Sequence, residues 1–192
     1  MNSLVLTDED AKTALSLEGT VLENVENHLV EENKGTILIC CPDCDQFWNL
    51  FQYHASIQKH CRPQDEPRIM PLPWFGGSAI LAPNSPLNEN NYDLLGLFTI
   101  GIEKSLAMKG VECIAPYIHV PCGAAYNIGL NFEDLLKLHF EAKQYLRKTF
   151  EGVKISSFVH IDFGPHYLKI GKKKQRLTYK ASLAAWQKIN FY

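Results

Sequence analysis

The chain has 192 residues, of which 46% are hydrophobic and 21% charged, and its formal net charge is −2. These values are typical of a globular protein that buries a core within one domain, and they exclude the basic footprint of a nucleic-acid-binding domain. No run of about 18 apolar residues predicts a membrane span, and residues 1–12 lack the basic and apolar parts of a signal peptide. We therefore expect a cytoplasmic protein that binds neither nucleic acid nor membranes, with six reduced cysteines.

The first half of the chain predicts a helix, a buried strand, a second helix and a long loop. Apolar residues recur at roughly helical spacing in residues 1–33, which we expect to form a helical arm ahead of an α/β domain at 34–192. The continuous apolar run at 36–41 is typical of a strand buried on both faces, and residues 46–60 follow it as a helix. The proline-rich stretch at 62–93 predicts a functional loop, because idle loops of this length are uncommon in compact domains.

The second half continues the alternation. Residues 94–109 predict a helix closed by Gly110, and residues 132–149 predict another that begins after Asn131. The apolar run at 111–120 contains Pro116, which favours two shorter extended pieces over one central strand. Further expected elements are strands at 154–163 and 166–170 and a last helix at 177–192. Strands that alternate with helices predict an α/β fold with a mainly parallel central sheet covered by helices.

Two short motifs stand at the ends of the two apolar runs. The first is Cys-Pro-Asp-Cys-Asp at 41–45, and the second is His-Val-Pro-Cys-Gly at 119–123. Ligands of open α/β sheets bind beyond the carboxyl ends of the strands, so two parallel neighbouring strands would bring both motifs to one crevice. Thiolate and imidazole groups are the ligand types that zinc prefers, and the pair of motifs therefore predicts a zinc site.

These motifs resemble those of the beta-class carbonic anhydrases, which carry Cys-x-Asp-Ser-Arg after one core strand and His-x-x-Cys-Gly after the next. The resemblance covers roughly residues 36–165. It implies zinc ligands at Cys41, His119 and Cys122, and an active-site aspartate at Asp43. It also implies hydration of carbon dioxide to bicarbonate by zinc-bound hydroxide, because the metal lowers the pKa of its bound water.

The family further implies a partner and a place for the substrate. Family members are dimers whose N-terminal helices embrace the partner, so we expect a homodimer or a higher homo-oligomer. Gly123 and the segment Trp74, Phe75, Gly76 and Gly77 are expected to contact the small substrate through an apolar wall and backbone donors. A related small electrophile, such as carbonyl sulfide or carbon disulfide, would suit the same site.

Three positions depart from the family pattern. Cys44 replaces its serine, Asp45 replaces its arginine, and Ile118 replaces the glycine before the histidine. The family's arginine pairs with the aspartate and keeps it off the metal. Here Arg62 or Arg68 could take its place from elsewhere in the chain. We therefore expect Asp43 or Cys44 to close the site near pH 7, and hydration activity to rise toward roughly pH 8.5–9 as expected for a raised water pKa.

Two other functions fit the same residues. A closed Cys₃His or Cys₂HisAsp site would make the protein an inactive or repurposed zinc-binding relative. The Cys-x-x-Cys spacing of Cys41 and Cys44, between a strand and a helix, is also thioredoxin-like in outline and allows a thiol oxidoreductase.

Simpler interpretations compete at single positions. A cysteine at a strand end is often a small core residue, and Asp43 or Asp45 can cap the following helix. The basic run Lys172–Arg176 is expected to be a solvated turn, and the histidines outside the second motif are expected to be surface or core residues.

Overall fold

The computed structural model describes residues 4–25, 34–43, 45–61, 67–88, 92–169, 171–172 and 174–190, without the side chains of residues 59–61, 166 and 190. The helices of this part are α1 (Asp8–Leu17), α2 (Phe47–Cys61), α3 (Leu94–Lys109), α4 (Gly123–Asn127), α5 (Phe132–Thr149), α6 (His166–Lys169) and α7 (Leu183–Asn190), with 3-10 helices at Gly77–Leu81 and Pro86–Asn88. The strands are β1 (Leu22–Asn24), β2 (Thr36–Cys40), β3 (Ile69–Pro73), β4 (Cys113–Val120), β5 (Lys154–Ile155), β6 (Phe158–Asp162) and β7 (Arg176–Ala181).

The strands form one mixed sheet in the order β1-β7-β6-β4-β2-β3, with β5 paired to β4 beside β6. The pairs β2–β3, β2–β4, β4–β5 and β4–β6 are parallel, whereas β7 is antiparallel to both β1 and β6. The expected α/β fold with a mainly parallel core is therefore confirmed. None of the helices in the described ranges is long and apolar enough to cross a bilayer.

The two central strands are buried along their whole length, as their apolar sequences require. Every residue of β2 and of β4 is buried. One face packs against α2, where Tyr117 stacks on Phe158 and its hydroxyl lies 3.0 Å from Nδ1 of His54. The other face packs against α3, α5 and the first 3-10 helix. The parallel pairing of β2 with β4 places their carboxyl ends at one edge of the sheet.

Pro116 does not divide β4, and the expectation of two shorter pieces is wrong. The strand pairs with β5 at Cys113 and Ile114 and with β6 from Tyr117 onward, so the ladder on this side changes partner at the proline. The missing N–H therefore falls where the sheet has an interruption.

Helix boundaries with clear sequence signals are confirmed. Gly110 ends α3 in the left-handed region, with a φ of 59°. Asn131 caps α5 by accepting a 2.9 Å hydrogen bond from the Asp134 amide, and the Asp134 carboxylate accepts one from the Asn131 amide in return. Helix α3 is apolar on nearly all sides, and its outer face exposes Leu97, Ile100 and Met108, which are 59%, 51% and 75% exposed. We call these three residues the α3 face.

Other boundaries differ from expectation at both ends of the chain. The N-terminal helix ends at Leu17, and the chain then enters the sheet as β1, while residues 26–33 lie outside the described ranges. Helix α1 packs on α5 of its own chain, where the Asp10 carboxylate accepts a 2.9 Å hydrogen bond from the Phe132 amide.

The C-terminal hairpin partner is β7 at Arg176–Ala181 rather than 166–170, where the short helix α6 lies. Alternation of Leu177, Tyr179 and Ala181 supplies the strand pattern, so the last helix begins only at Leu183.

Candidate metal centre

Cys41, His119 and Cys122 come together at the carboxyl edge of the sheet. Cys41 follows β2 directly, His119 is the penultimate residue of its parallel neighbour β4, and Cys122 stands just before α4. One sulfur or ring nitrogen from each residue lies within 4.8 Å of the other two, and all three residues are buried. The structure therefore brings together the three predicted ligands, whereas Cys44 lies outside the described residues.

The imidazole of His119 lacks the partners that a buried ring requires. The residue is 2% exposed, and neither ring nitrogen has a hydrogen-bond partner of good geometry in the described part of the chain. Leaving a buried polar group unsatisfied costs about 1–3 kcal/mol, so such groups need an explanation. Coordination of a metal by one nitrogen would supply it.

A hydrogen bond couples the thiols of Cys41 and Cys122 and shifts their pKa values in opposite directions. A hydrogen bond with Cys122, together with burial, raises the pKa of the Cys41 thiol. The same bond lowers the pKa of Cys122, and the neighbouring His119 lowers it further against the effect of burial. A divalent metal ion at this position would bind both sulfurs as thiolates, since metal binding displaces thiol protons. The donor set fits a soft divalent metal such as zinc.

Backbone amides support both sulfurs. The N–H groups of Gly76 and Asp43 donate to the Cys41 sulfur, and the N–H of Ala125 donates to Cys122. Donors of this kind stabilise the negative charge of thiolates and fix the direction of their lone pairs. The segment around Gly76 therefore contacts the site through the Cys41 sulfur, and its contact with a substrate stays a prediction.

Gly77 lets this segment approach Cys41. Its φ is 61°, and a Cβ built on it would lie 2.4 Å from the Tyr117 carbonyl oxygen and 3.3 Å from the Cys41 nitrogen, so no side chain fits. The next residue, Ser78, is anchored by a 2.7 Å hydrogen bond between its hydroxyl and Nδ1 of His139 on α5. Both partners are buried, so the turn is held from behind by the helix.

The remaining predicted substrate contacts are more open. Trp74 and Phe75 are 37% and 65% exposed, and Trp74 meets the ring of Phe98 edge-on at 6.4 Å. A Cβ built on Gly123 would meet nothing within 4 Å, so sterics do not require glycine there. Their contact with a substrate stays a prediction.

Asp43 caps α2. Its Oδ1 accepts hydrogen bonds from the amides of Asp45 and Gln46 at 2.9 and 3.1 Å, and its carbonyl accepts one from Phe47 at 2.8 Å. The capping role considered for this aspartate is therefore present. No oxygen of Asp43 belongs to the group of ligand atoms within 4.8 Å.

An arginine does stand beside the first motif, but it comes from β7. Arg176 donates from Nε to Oδ2 of Asp162 and from Nη1 to the carbonyl of Asp45, both at 2.7 Å. Arg68 bonds instead to the carbonyls of Lys34 and Lys109, near the amino ends of β2 and β4. Arg62 lies outside the described residues.

The basic run is therefore not a simple solvated turn. Arg176 pairs with Asp162, and Lys172 forms an ion pair with Glu18. The interpretation of the run as solvated is wrong at these two positions. The missed signal was Asp162 at the end of β6, since a carboxylate at the carboxyl end of a core strand implies a partner at this edge.

A cavity of about 500 Å³ opens beyond the carboxyl ends of β2, β4 and β6. We call it the edge cleft. Asp43, Gln46 and Pro121 line it next to the metal ligands, and Asp162 and Arg176 line its other side. Gln46 ties the two motifs together, because its Nε2 donates to the Pro121 carbonyl at 3.2 Å.

Comparison of the chain with protein-family models gave no match, and comparison with curated proteins gave no significant match.

Proposed function

We propose that the protein is a zinc-dependent enzyme of the carbonic-anhydrase type, which hydrates carbon dioxide reversibly to bicarbonate. The observation that carries the proposal is the buried group of two sulfurs and one imidazole, whose ligand atoms lie within 4.8 Å of one another. Three protein ligands are the number that catalytic zinc sites use, with a fourth position open to water. The edge cleft lies beside the group, because Asp43 and Pro121, which line it, are close in sequence to Cys41 and Cys122; the three ligands themselves are buried and do not line it.

The residues of the site would have three separate roles in this reaction. Cys41, His119 and Cys122 would hold zinc, which supplies a Lewis acid that activates water for attack on a small electrophile. Asp43 would accept a hydrogen bond from that water through the carboxylate oxygen not engaged in capping. Arg176 fixes the turn that carries Asp43, because it donates to the neighbouring carbonyl of Asp45.

Charge argues for weak activity near neutrality. The thiolates of Cys41 and Cys122 offset the charge of Zn²⁺, so the metal is a weaker Lewis acid than one held by three imidazoles. Negative charge on Asp43 and Asp45 raises the pH at which the water ionises, since a like charge disfavours an anion. Activity is therefore expected to increase from pH 7 toward roughly pH 8.5–9.

The first test is metal content. Purified protein should contain about one zinc per chain, and Cys122→Ala should lose it, as a three-ligand site implies. Cys40→Ala is the matched control, because Cys40 is equally buried but lies outside the ligand group. Zinc retained in full by Cys122→Ala would contradict the site.

The second test is stopped-flow hydration of carbon dioxide across pH 7–9. Turnover that rises with pH in the zinc-loaded wild type supports the enzyme. A zinc-loaded protein that is inactive throughout would favour the closed-site relative, and X-ray absorption at the zinc edge would identify the fourth ligand. Cys44→Ser separates closure by Cys44 from closure by Asp43.

The thiol oxidoreductase is the weaker alternative. A nucleophilic cysteine needs a lowered pKa, and the pKa of Cys41 is raised by its hydrogen bond with Cys122 and by burial. Reduction of a model disulfide substrate by the zinc-free protein would favour the thiol oxidoreductase over the zinc enzyme.

A further inference from the structure

A second cavity, of about 490 Å³, lies on the α2 side of the sheet and shares Arg176 with the edge cleft. We call it the α2 cavity. It is bounded by α2, the end of β1, and strands β6 and β7. The described residues that line it are Asn24, Val25, Asn49, Tyr53, Ser56, His160, Lys174, Arg176, Leu177 and Thr178.

The lining of this cavity is polar and carries no carboxylate among the described residues. Amides and hydroxyl groups supply several donors, and two cations, Lys174 and Arg176, stand at one side. Asp162 balances the charge of Arg176, because Nε of the arginine donates to it at 2.7 Å. Lys174 therefore leaves a net positive charge within the described lining, which suits an anion.

A buried ring nitrogen is also left without a partner here. His160 is 3% exposed, and its Nδ1 lies 2.8 Å from the hydroxyl of Thr178, its register partner on β7. Its Nε2 has no hydrogen-bond partner within the described ranges. The Thr178 hydroxyl can donate to Nδ1, which leaves the proton of the neutral imidazole on Nε2.

We propose that the α2 cavity binds the oxyanion group of a small polar molecule, either a phosphate or a carboxylate. Lys174 would contact the anion, and Asn49 and Ser56 would contact the rest of the ligand. The volume lies within the range of about 300–1,000 Å³ that small-molecule sites occupy. The proposal does not rest on the proposed catalysis, although His160 is the register partner of His119, so the ligand would lie one strand from the metal group.

The test places a negative charge in the cavity without changing its shape. Inorganic phosphate and, separately, sodium acetate are titrated into the full chain in a non-coordinating buffer, and backbone amide shifts are followed by NMR. Asn49→Asp is the main variant, and Gln52→Glu is its matched control. Gln52 lies on the same helix, is exposed, and lies outside the lining of the cavity. Lys174→Gln removes the cation.

Saturable shifts around His160 and Thr178 are expected with at least one of the two anions, and the stronger binder identifies the oxyanion. Asn49→Asp should weaken binding at least about tenfold, because like charges at close range repel strongly inside a protein. Lys174→Gln should weaken it several-fold, and Gln52→Glu should bind as the wild type does. Absence of saturable shifts with both anions overturns the proposal. Binding that Asn49→Asp leaves intact also overturns the proposal, because the anion would then lie elsewhere. Shifts confined to Gly123, beside the predicted metal ligands, are one such result.

Discussion

Replacement of Gly77 by alanine tests whether the glycine turn holds Cys41 in place. The added Cβ would lie 2.4 Å from the Tyr117 carbonyl oxygen, whereas real Cβ contacts are essentially never below 3.0 Å, so the backbone must move by at least 0.6 Å. That carbonyl belongs to the central strand and cannot yield easily. The turn must therefore move away from Cys41, whose sulfur accepts the N–H of Gly76.

Gly110→Ala provides a matched control for this substitution. Both glycines have nearly the same backbone conformation, with φ of 61° and 59°, but a Cβ at Gly110 meets nothing within 4 Å. Each alanine costs about 1–2 kcal/mol for the left-handed conformation. Gly77→Ala should cost about 1–3 kcal/mol more, the usual penalty of overpacking.

Urea unfolding followed by circular dichroism measures these free energies, and competition with a zinc chelator measures affinity for the metal. Loss of a supporting interaction around a metal ligand typically weakens binding about 10–100-fold, and we expect this for Gly77→Ala but not for Gly110→Ala. Equal destabilisation by the two substitutions, with unchanged zinc affinity in both, would refute the reasoning.

Three further predictions concern the surroundings of the site. Burial raises the pKa of Asp162, but hydrogen bonds from Gln175, Arg176 and a backbone amide outweigh this effect, so the pKa is lowered. The ionised carboxylate therefore stabilises the folded protein at pH values above its ordinary pKa. This stabilisation is lost as the pH falls through the lowered pKa. Asp162→Asn should therefore reduce the acid-dependent loss of stability in urea titrations between about pH 5 and 2, and an unchanged pH profile would contradict this. Light scattering of the wild type should give the mass of a dimer or a higher homo-oligomer, as the family resemblance implies, and a monomeric mass would contradict the expected assembly. Ser78→Ala should leave a buried nitrogen of its partner histidine unsatisfied, costing about 1–3 kcal/mol by thermal unfolding, and no loss of stability would show that this anchor is dispensable.

The grouping of Cys41, His119 and Cys122 was predictable because local sequence carries a signal near each of these residues. A continuous apolar run predicts a strand buried on both faces, and the residue after such a run reaches the carboxyl edge of the sheet. Cys41 and His119 stand at such positions in two neighbouring strands. Their meeting therefore depends on strand order alone, which the alternation of strands and helices already restricts.

The arginine could not be predicted in the same way. Arg176 lies 131 residues beyond Asp45, whose carbonyl it meets, on an antiparallel strand whose existence was missed. Four basic residues in a short run suggest a solvated turn by composition, and only the pairing of β7 with β6 turns one of them toward the edge cleft. The expectation that Pro116 divides β4 was wrong for a related reason. A break in the neighbouring strands is a tertiary feature that no local sequence pattern records.

The position of the three ligands also bears on when the metal can bind. Cys41 and His119 are separated in the chain by α2, β3 and α3, and only the pairing of β2 with β4 brings them together. A site whose ligands lie so far apart in the chain cannot nucleate folding as a short zinc-finger loop does. The entropy cost of closing the intervening loop must be overcome before the ligands meet. Zinc would then bind a sheet that has already formed, and would stabilise it by mass action in proportion to the logarithm of its concentration. Chelation should accordingly lower the melting temperature in a graded way and leave the secondary structure in place, in contrast to the collapse of a domain whose fold depends on its metal.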